Sequence, residues 1–263
     1  MQEIILPVAI LAAAGLVCGL ALALASRFIG VKDDPRVAAI LALLPGANCG
    51  GCGFAGCAAY AAAVADGKAP PDRCTAGADA AKVADAAGAD VPQTTPEPLK
   101  AVVLCGGTDS FAKKSFVYDG LADCAAATAV AGGDKTCSFG CLGYGSCLRV
   151  CPEGAISIEN GVAHVDPERC IGCGRCASAC PRHVIEMIPA SRRVHVFCKS
   201  TDKGAVKRRY CSAGCIGCRL CERKAPGAVK VDGFLARVNY DVPFPSGTAI
   251  DDCPVKCLRS AAQ

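Results

Sequence analysis

The sequence predicts an α+β chain: a single N-terminal transmembrane helix, a small helical cysteine domain, then a domain of short β-hairpins enlarged by an extra half-module. Three observations predict it. Residues 4–29 form an apolar run interrupted only by Ser26 and Arg27. Residues 57–66 are alanine-rich, hence helix-favouring, and follow a glycine-rich cysteine cluster. Beyond residue 136, cysteine blocks alternate with short strands of alternating pattern, two of them joined at Asn160-Gly161 and Asp232-Gly233, favoured hairpin turns.

Composition narrows the chemistry. The chain has 22 cysteines in 263 residues, against three histidines and no tryptophan. In a short secreted chain that would suggest disulfides. Here the cysteines fall in tight CxxC groups, the pattern of metal or iron–sulfur ligation. A net charge of +4 and 5% aromatic residues argue against nucleic-acid binding.

The first element, residues 1–30, is read as a membrane anchor, since its apolar run is long enough for a hydrocarbon core of about 30 Å. A cleaved signal peptide is the alternative. Glu3 in place of a basic start and the length of the run oppose it. Glu3 precedes the span while Arg27, Lys32 and Arg36 follow it, which puts the N-terminus outside and everything after residue 30 in the cytoplasm. That compartment disfavours disulfides. Gly15 and Gly19 form a GxxxG on which another helix could pack; Cys18 is read as a small apolar residue.

The second element, 31–91, opens with Asp34-Pro35, an N-cap with proline at the first helical position. NCGGCGFAGC follows, with Cys49, Cys52 and Cys57 as ligands and Cys74 as a distant fourth. The third element, 92–135, begins in the proline-rich VPQTTPEPLK and is read as a linker and cysteine-bearing connector.

The fourth, 136–197, carries CIGCGRCASACP, the complete C-x2-C-x2-C-x3-C-P run of bacterial ferredoxins, whose last cysteine ligates the sister cluster. Cys170, Cys173 and Cys176 therefore pair with Cys151. In CSFGCLGYGSCLRVCP the middle slot is Tyr144; Cys137 replaces it, giving Cys137, Cys141, Cys147 and Cys180. The fifth element, 198–263, offers Cys215, Cys218 and Cys221, but Ala225 stands where a crossover cysteine would be. It reads as a single-cluster module closed by Cys253, which precedes Pro254. Each of the three blocks is expected to feed a hairpin, the second one through VIEMIPASRRVHVF.

Cys124 and Cys198 each lie thirteen residues before Cys137 and Cys211, so two related copies are expected. Two readings of Cys105, Cys124, Cys198 and Cys211 stand: one further [4Fe–4S] cluster between the copies, or packing thiols. The chain would hold four or five clusters accordingly. Cys257 has no assignment. Zinc shares the CxxC spacing, but the CP endings and interleaved crossover disfavour it. No nucleotide-binding glycine motif, HExxH or nucleophile–base set occurs, and His164, His183 and His195 read as surface or packing residues. The chain is read as a carrier of single electrons. Lys199, Lys203, Lys207, Arg208 and Arg209 form a basic run that either steers an acidic protein or is a solvated loop.

The order of these motifs resembles the B-subunit family of Rnf complexes over essentially the whole chain: an anchor, NCGGCGFAGC…C, a proline-rich linker, LCGG…DCAAA, CSFGCLGYGSCLRVCP and CIGCGRCASACP. The 49/52/57/74 segment alone is also similar to the cluster domain of corrinoid iron–sulfur proteins. The Rnf resemblance implies a bacterial inner-membrane complex passing electrons from soluble ferredoxin to NAD, coupled to Na+ or H+ translocation. Flavins and the NAD site would lie on partner subunits, membrane and peripheral. Shorter members end after the two-cluster ferredoxin domain, so the 198–257 block departs from them. A membrane-anchored polyferredoxin of another dehydrogenase or hydrogenase is the alternative.

Overall fold

The computed structural model describes residues 2–29, 34–90, 97–245 and 250–260. Helix α1 (Gln2–Ile29) opens the chain. Its described side chains are Val8 and residues 12–25, all exposed. Among the described residues, no helix is long and apolar enough to cross a membrane. The charges expected to orient the anchor, Glu3, Arg27 and Lys32, lie outside the described side chains.

Three short helices build the next unit: α2 (Pro35–Leu43), α3 (Cys57–Ala65) and α4 (Ala80–Ala87). Asp34 caps α2 by accepting from the Arg36 amide, and Asp79 caps α4 by accepting from Ala81 and Lys82, so both starts satisfy donors a helix leaves free. Their apolar faces meet around Ile40, Tyr60, Ala61, Val64 and Val83.

The remainder is built from β1 (Leu99–Val103), α5 (Cys124–Ala129), α6 (Ser146–Arg149), β2 (Ile156–Glu159), β3 (Val162–Val165), α7 (Arg175–Ser178), β4 (Ile185–Pro189), β5 (Val194–Val196), α8 (Gly204–Tyr210), α9 (Leu220–Lys224), β6 (Val229–Asp232), β7 (Leu235–Val238) and β8 (Leu258–Ser260). Among the described residues four two-stranded antiparallel sheets form: β1–β4, β2–β3, β5–β8 and β6–β7. The hairpins at Asn160-Gly161 and Asp232-Gly233 form as expected. The expected hairpin between β4 and β5 does not. β4 pairs with β1, Leu99 opposite Pro189, and β5 pairs with β8, Val194 opposite Ser260. Strand β1 lies in the segment read as a connector.

The physical reason is a duplication of a larger unit than the hairpin. Each module is an outer strand, an inner hairpin and a second outer strand that closes on the first. Backbone bonds repeat accordingly: the Leu104 amide donates to Val184 at 2.7 Å, and the Phe197 amide to Cys257 at 2.8 Å. Cys180-Pro181 leads into β4 as Cys253-Pro254 leads into β8. The modules meet where the Gly106 amide donates to the Phe197 carbonyl, 2.9 Å away.

Candidate metal centres

The sulfurs gather into groups that the modules dictate. Cys151, Cys170, Cys173 and Cys176 line one cavity of about 330 Å3, the grouping the sequence suggests. Cys215, Cys218, Cys221 and Cys253 line another of about 370 Å3, joined there by Cys257. Ala225 is fully buried in the core beside them, so the missing crossover cysteine is replaced by packing.

Two cysteines change places relative to the sequence grouping. Cys124, not Cys137, lines the cavity of about 310 Å3 with Cys141, Cys147 and Cys180. Cys137 instead joins Cys105, Cys198 and Cys211 around a cavity of about 390 Å3 between the modules. Asp123 explains the first move. It caps α5 by accepting from Ala125 and Ala126, and its other oxygen accepts from the Ser146 hydroxyl at 2.8 Å. Ser146 Oγ in turn accepts from the Cys124 amide at 2.7 Å, which sets Cys124 beside Cys147. These donors hold the Asp123 carboxyl down at about 2. The second move follows from strand-like pairing: the Lys113 amide donates to Tyr210 and the Thr136 amide to Lys113, which draws Cys137 alongside Cys211. Seen by repeat, Cys105 matches Cys198 and Cys137 matches Cys211, so each module lends the junction cavity two sulfurs. A Cβ placed on Gly107 would lie 3.6 Å from both Cys105 Sγ and Cys211 Sγ.

In the N-terminal unit Cys52, Cys57 and Cys74 pack against the helical core. Asn48 Oδ1 accepts from the Cys57 amide at 2.8 Å. Tyr60 fixes the loop that carries Cys74, donating to Pro70 at 2.8 Å and accepting from the Arg73 amide at 3.1 Å. Burial, with Cys74 and Cys52 nearby, pushes its phenol up to about 12.

The donor chemistry fits iron–sulfur clusters. The four cavities are lined by thiols on predominantly apolar walls, and no histidine lines any of them. Among the described residues no three His, Cys, Asp or Glu side chains converge closely enough to share a single ion. Sulfurs spread around a void suit a multi-iron core better than one tetrahedral zinc. Burial pushes Cys137, Cys141 and Cys176 up to about 11 and Cys147 up to about 12, so bound metal would displace protons from them.

The groups are also neighbours. Gly51 sits so close to Cys173 that a Cβ there would be 3.0 Å from the Cys173 Cα. Cys147 lies within electrostatic reach of Cys176. The Cys141 amide donates to Cys105 Sγ at 3.4 Å. Cys257, unassigned from sequence, lies against both Cys198 and Cys215 and so bridges the junction and C-terminal groups. Its own thiol is pushed up by those two sulfurs. It occupies the place of Val184 in the first module, a correspondence visible only once the strands are paired.

The histidines follow expectation: His164 and His183 are exposed, while His195 packs inside and shares a 3.0 Å hydrogen bond with Tyr240. The basic run is corrected. Lys207 is buried and Lys199 is paired with Glu186, leaving Lys203, Arg208 and Arg209 to solvent.

Comparison with known proteins agrees with iron–sulfur binding. Residues 44–76 match a family described as "Putative Fe-S cluster", and residues 163–186 match the 4Fe-4S binding domain. The B subunit of the Na(+)-translocating ferredoxin:NAD(+) oxidoreductase complex of Acetobacterium woodii is 40% identical over 262 residues, 98% of this chain and 78% of that protein. The B subunit of the ion-translocating oxidoreductase complex of Methanosarcina acetivorans is 38% identical over 96% of each chain. The B subunit of the proton-translocating ferredoxin:NAD(+) oxidoreductase complex of Clostridium ljungdahlii is 40% identical over 99% of this chain and 93% of its own.

Proposed function

The chain belongs to the B-subunit family of ion-translocating ferredoxin:NAD(+) oxidoreductase complexes, and from that premise we propose that it is the relay accepting electrons from reduced ferredoxin. It is an electron-transfer subunit of such a complex, an oxidoreductase. The observation that carries the finer reading is the unbroken succession of cysteine groups, from Cys49–Cys74 through Cys173, Cys147 and Cys141 to Cys105, Cys198 and Cys215.

Five [4Fe–4S] clusters would be held by Cys49, Cys52, Cys57 and Cys74; by Cys151, Cys170, Cys173 and Cys176; by Cys124, Cys141, Cys147 and Cys180; by Cys105, Cys137, Cys198 and Cys211; and by Cys215, Cys218, Cys221 and Cys253. Bound there, such clusters supply one-electron transfer. The protein's part is to exclude water from the buried sulfurs and to hold neighbouring groups close. Hydride chemistry belongs to partner subunits. The domains would be an anchor at 1–30, the helical domain at 31–91 and two ferredoxin-like modules, β1 to β4 and β5 to β8, so that the segment read as a connector, 92–135, lends β1 and two cysteines to the first module and β5 places the module boundary before residue 198. The anchor crosses the inner membrane once, N-terminus outside, and the N-terminal cluster next to it delivers electrons toward the membrane.

Ferredoxin docking is supported by an open cleft of about 980 Å3 lined by Lys113, Arg208 and Cys211, where Lys114 is paired with Asp109. Opposite charge there would steer an acidic carrier to the junction group. The test is ferredoxin-dependent NAD reduction by the isolated complex with and without this chain. Loss on deletion, restored by adding the chain back, is expected. If activity persists and the chain co-purifies with a different dehydrogenase or hydrogenase, the reading fails.

A further inference from the structure

Among the described residues two lysines are withdrawn from solvent, Lys135 at 3% and Lys207 at 1% exposure, and both line the junction cavity. They hold matching places in the two modules. Lys135 Nζ donates to Gly107, two residues beyond Cys105, and to Gly161 in the β2–β3 turn, each at 2.8 Å. Lys207 Nζ donates to Ser200, two residues beyond Cys198, at 2.9 Å, and to Phe234 beside the β6–β7 turn at 3.2 Å. Room for Lys207 is kept by Gly214, where a Cβ would lie 2.9 Å from the lysine Cδ.

Carbonyl oxygens are the partners of both ammonium groups. Among the described residues neither forms an ion pair with a carboxylate. The third lysine on this cavity, Lys199, is matched by Glu186, and Asp134, next to Lys135 in sequence, by Lys114 at 3.5 Å. Two buried cations without counter-charge are costly unless negative charge comes to the cavity. Four thiolates on an iron–sulfur core bring it, and reduction adds one more negative charge. Fixed cations in a low-dielectric wall therefore favour the reduced form.

Among the described residues no other group has two buried lysines on its wall, and in the N-terminal unit Arg36, Lys68, Arg73 and Lys82 are all exposed. The 124/141/147/180 cavity has one half-buried cation, Arg182, directed to the carbonyls of Ser138 and Gly132. The 151/170/173/176 cavity is lined by Glu153, and the one lysine beside it, Lys100, is half-buried and donates to the Cys170 carbonyl at 2.5 Å. At the 215/218/221/253 cavity Arg219 is exposed and pairs with Glu222 at 3.8 Å.

We propose that Lys135 and Lys207 are positioning residues that make the junction group, Cys105, Cys137, Cys198 and Cys211, the most easily reduced site of the chain, where an electron in transit resides. The proposal rests on the cluster reading above. It deepens that reading by ranking the sites.

The test is a potentiometric titration of the anaerobically purified full chain, followed by electron paramagnetic resonance, with mediator dyes supplying the electrons. Wild type is compared with Lys135→Met, Lys207→Met and Cys211→Ala. The highest-potential signal should vanish in Cys211→Ala. It should fall by at least about 59 mV in each lysine variant, a tenfold change in a one-electron equilibrium, and further than any other signal, since Lys135 and Lys207 also reach Cys141 and Cys215 of the neighbouring groups. An unmoved highest-potential signal in both lysine variants overturns the proposal. So does its survival in Cys211→Ala, which decides the matter even if the methionine variants do not fold. Iron and sulfide assayed on the same samples separate the two ideas: wild-type chain without iron sinks the cluster reading itself.

Discussion

The exchange of Cys124 and Cys137 gives the sharpest test of the site geometry. Spacing alone groups Cys137 with Cys141, whereas the folded chain sets Cys137 with Cys211 and leaves Cys141 with Cys124. Two double variants separate these arrangements. If each four-cysteine group holds one cluster, removing any ligand loses about four irons, and a second loss from the same group adds nothing. Cys137→Ala with Cys211→Ala then strikes one group and lowers iron by about four per chain. Cys137→Ala with Cys141→Ala strikes two groups and lowers it by about eight. The assay is iron and acid-labile sulfide on anaerobically purified protein, with a circular dichroism spectrum to show that the chain has folded. The reverse ordering, a larger loss for the 137/211 pair, would refute the grouping.

Three further outcomes follow from packing and charge. Gly51→Ala forces a Cβ to 3.0 Å from the Cys173 Cα and 3.1 Å from its carbonyl oxygen, backbone atoms that cannot rotate aside. It should cost about 1–3 kcal/mol and loosen the N-terminal unit, read as faster proteolysis near residues 90–98 with unchanged iron in the ferredoxin-like part; unchanged cleavage would dismiss the contact. Tyr60→Phe removes both hydrogen bonds that hold the Cys74 loop, costing about 1–3 kcal/mol in melting and exposing the N-terminal iron to chelators sooner; a variant as resistant as wild type would show the loop is held otherwise. Burial holds His195 down at about 4, below its ordinary 6.5, so the folded chain binds fewer protons than the unfolded one. Its stabilising contribution is present above the ordinary value and is lost as pH falls toward 4. Near pH 5 the loss is about 2 kcal/mol, and His195→Phe should melt with a flatter pH dependence; an equal slope in both would reject this role.

Much of the site was legible because covalent spacing constrains it. In CIGCGRCASACP three sulfurs sit within a loop and one helical turn, so no folding detail can separate them, and Cys151 and Cys253 are marked by the prolines that follow. Ala225 stands where the sequence pattern expects a crossover cysteine, and it is buried in the core there. Legibility ended where grouping depends on long-range pairing. Cys124 is set by a hydrogen-bond chain through Asp123 and Ser146, twenty-two residues from Cys124 itself, and no local pattern announces it. The β1–β4 pairing was missed because an outer strand separated from its partner by a whole hairpin leaves no turn signal between them. Lys207 looked like part of a solvated run, yet it lies on the face of α8 that also buries Tyr210.

That this chain holds a succession of iron–sulfur clusters along its cysteine groups is tested most directly by iron, sulfide and zinc per chain on anaerobically purified wild-type protein. About twenty irons and as many sulfides are expected. Stoichiometric zinc with little iron or sulfide would contradict the cluster assignment.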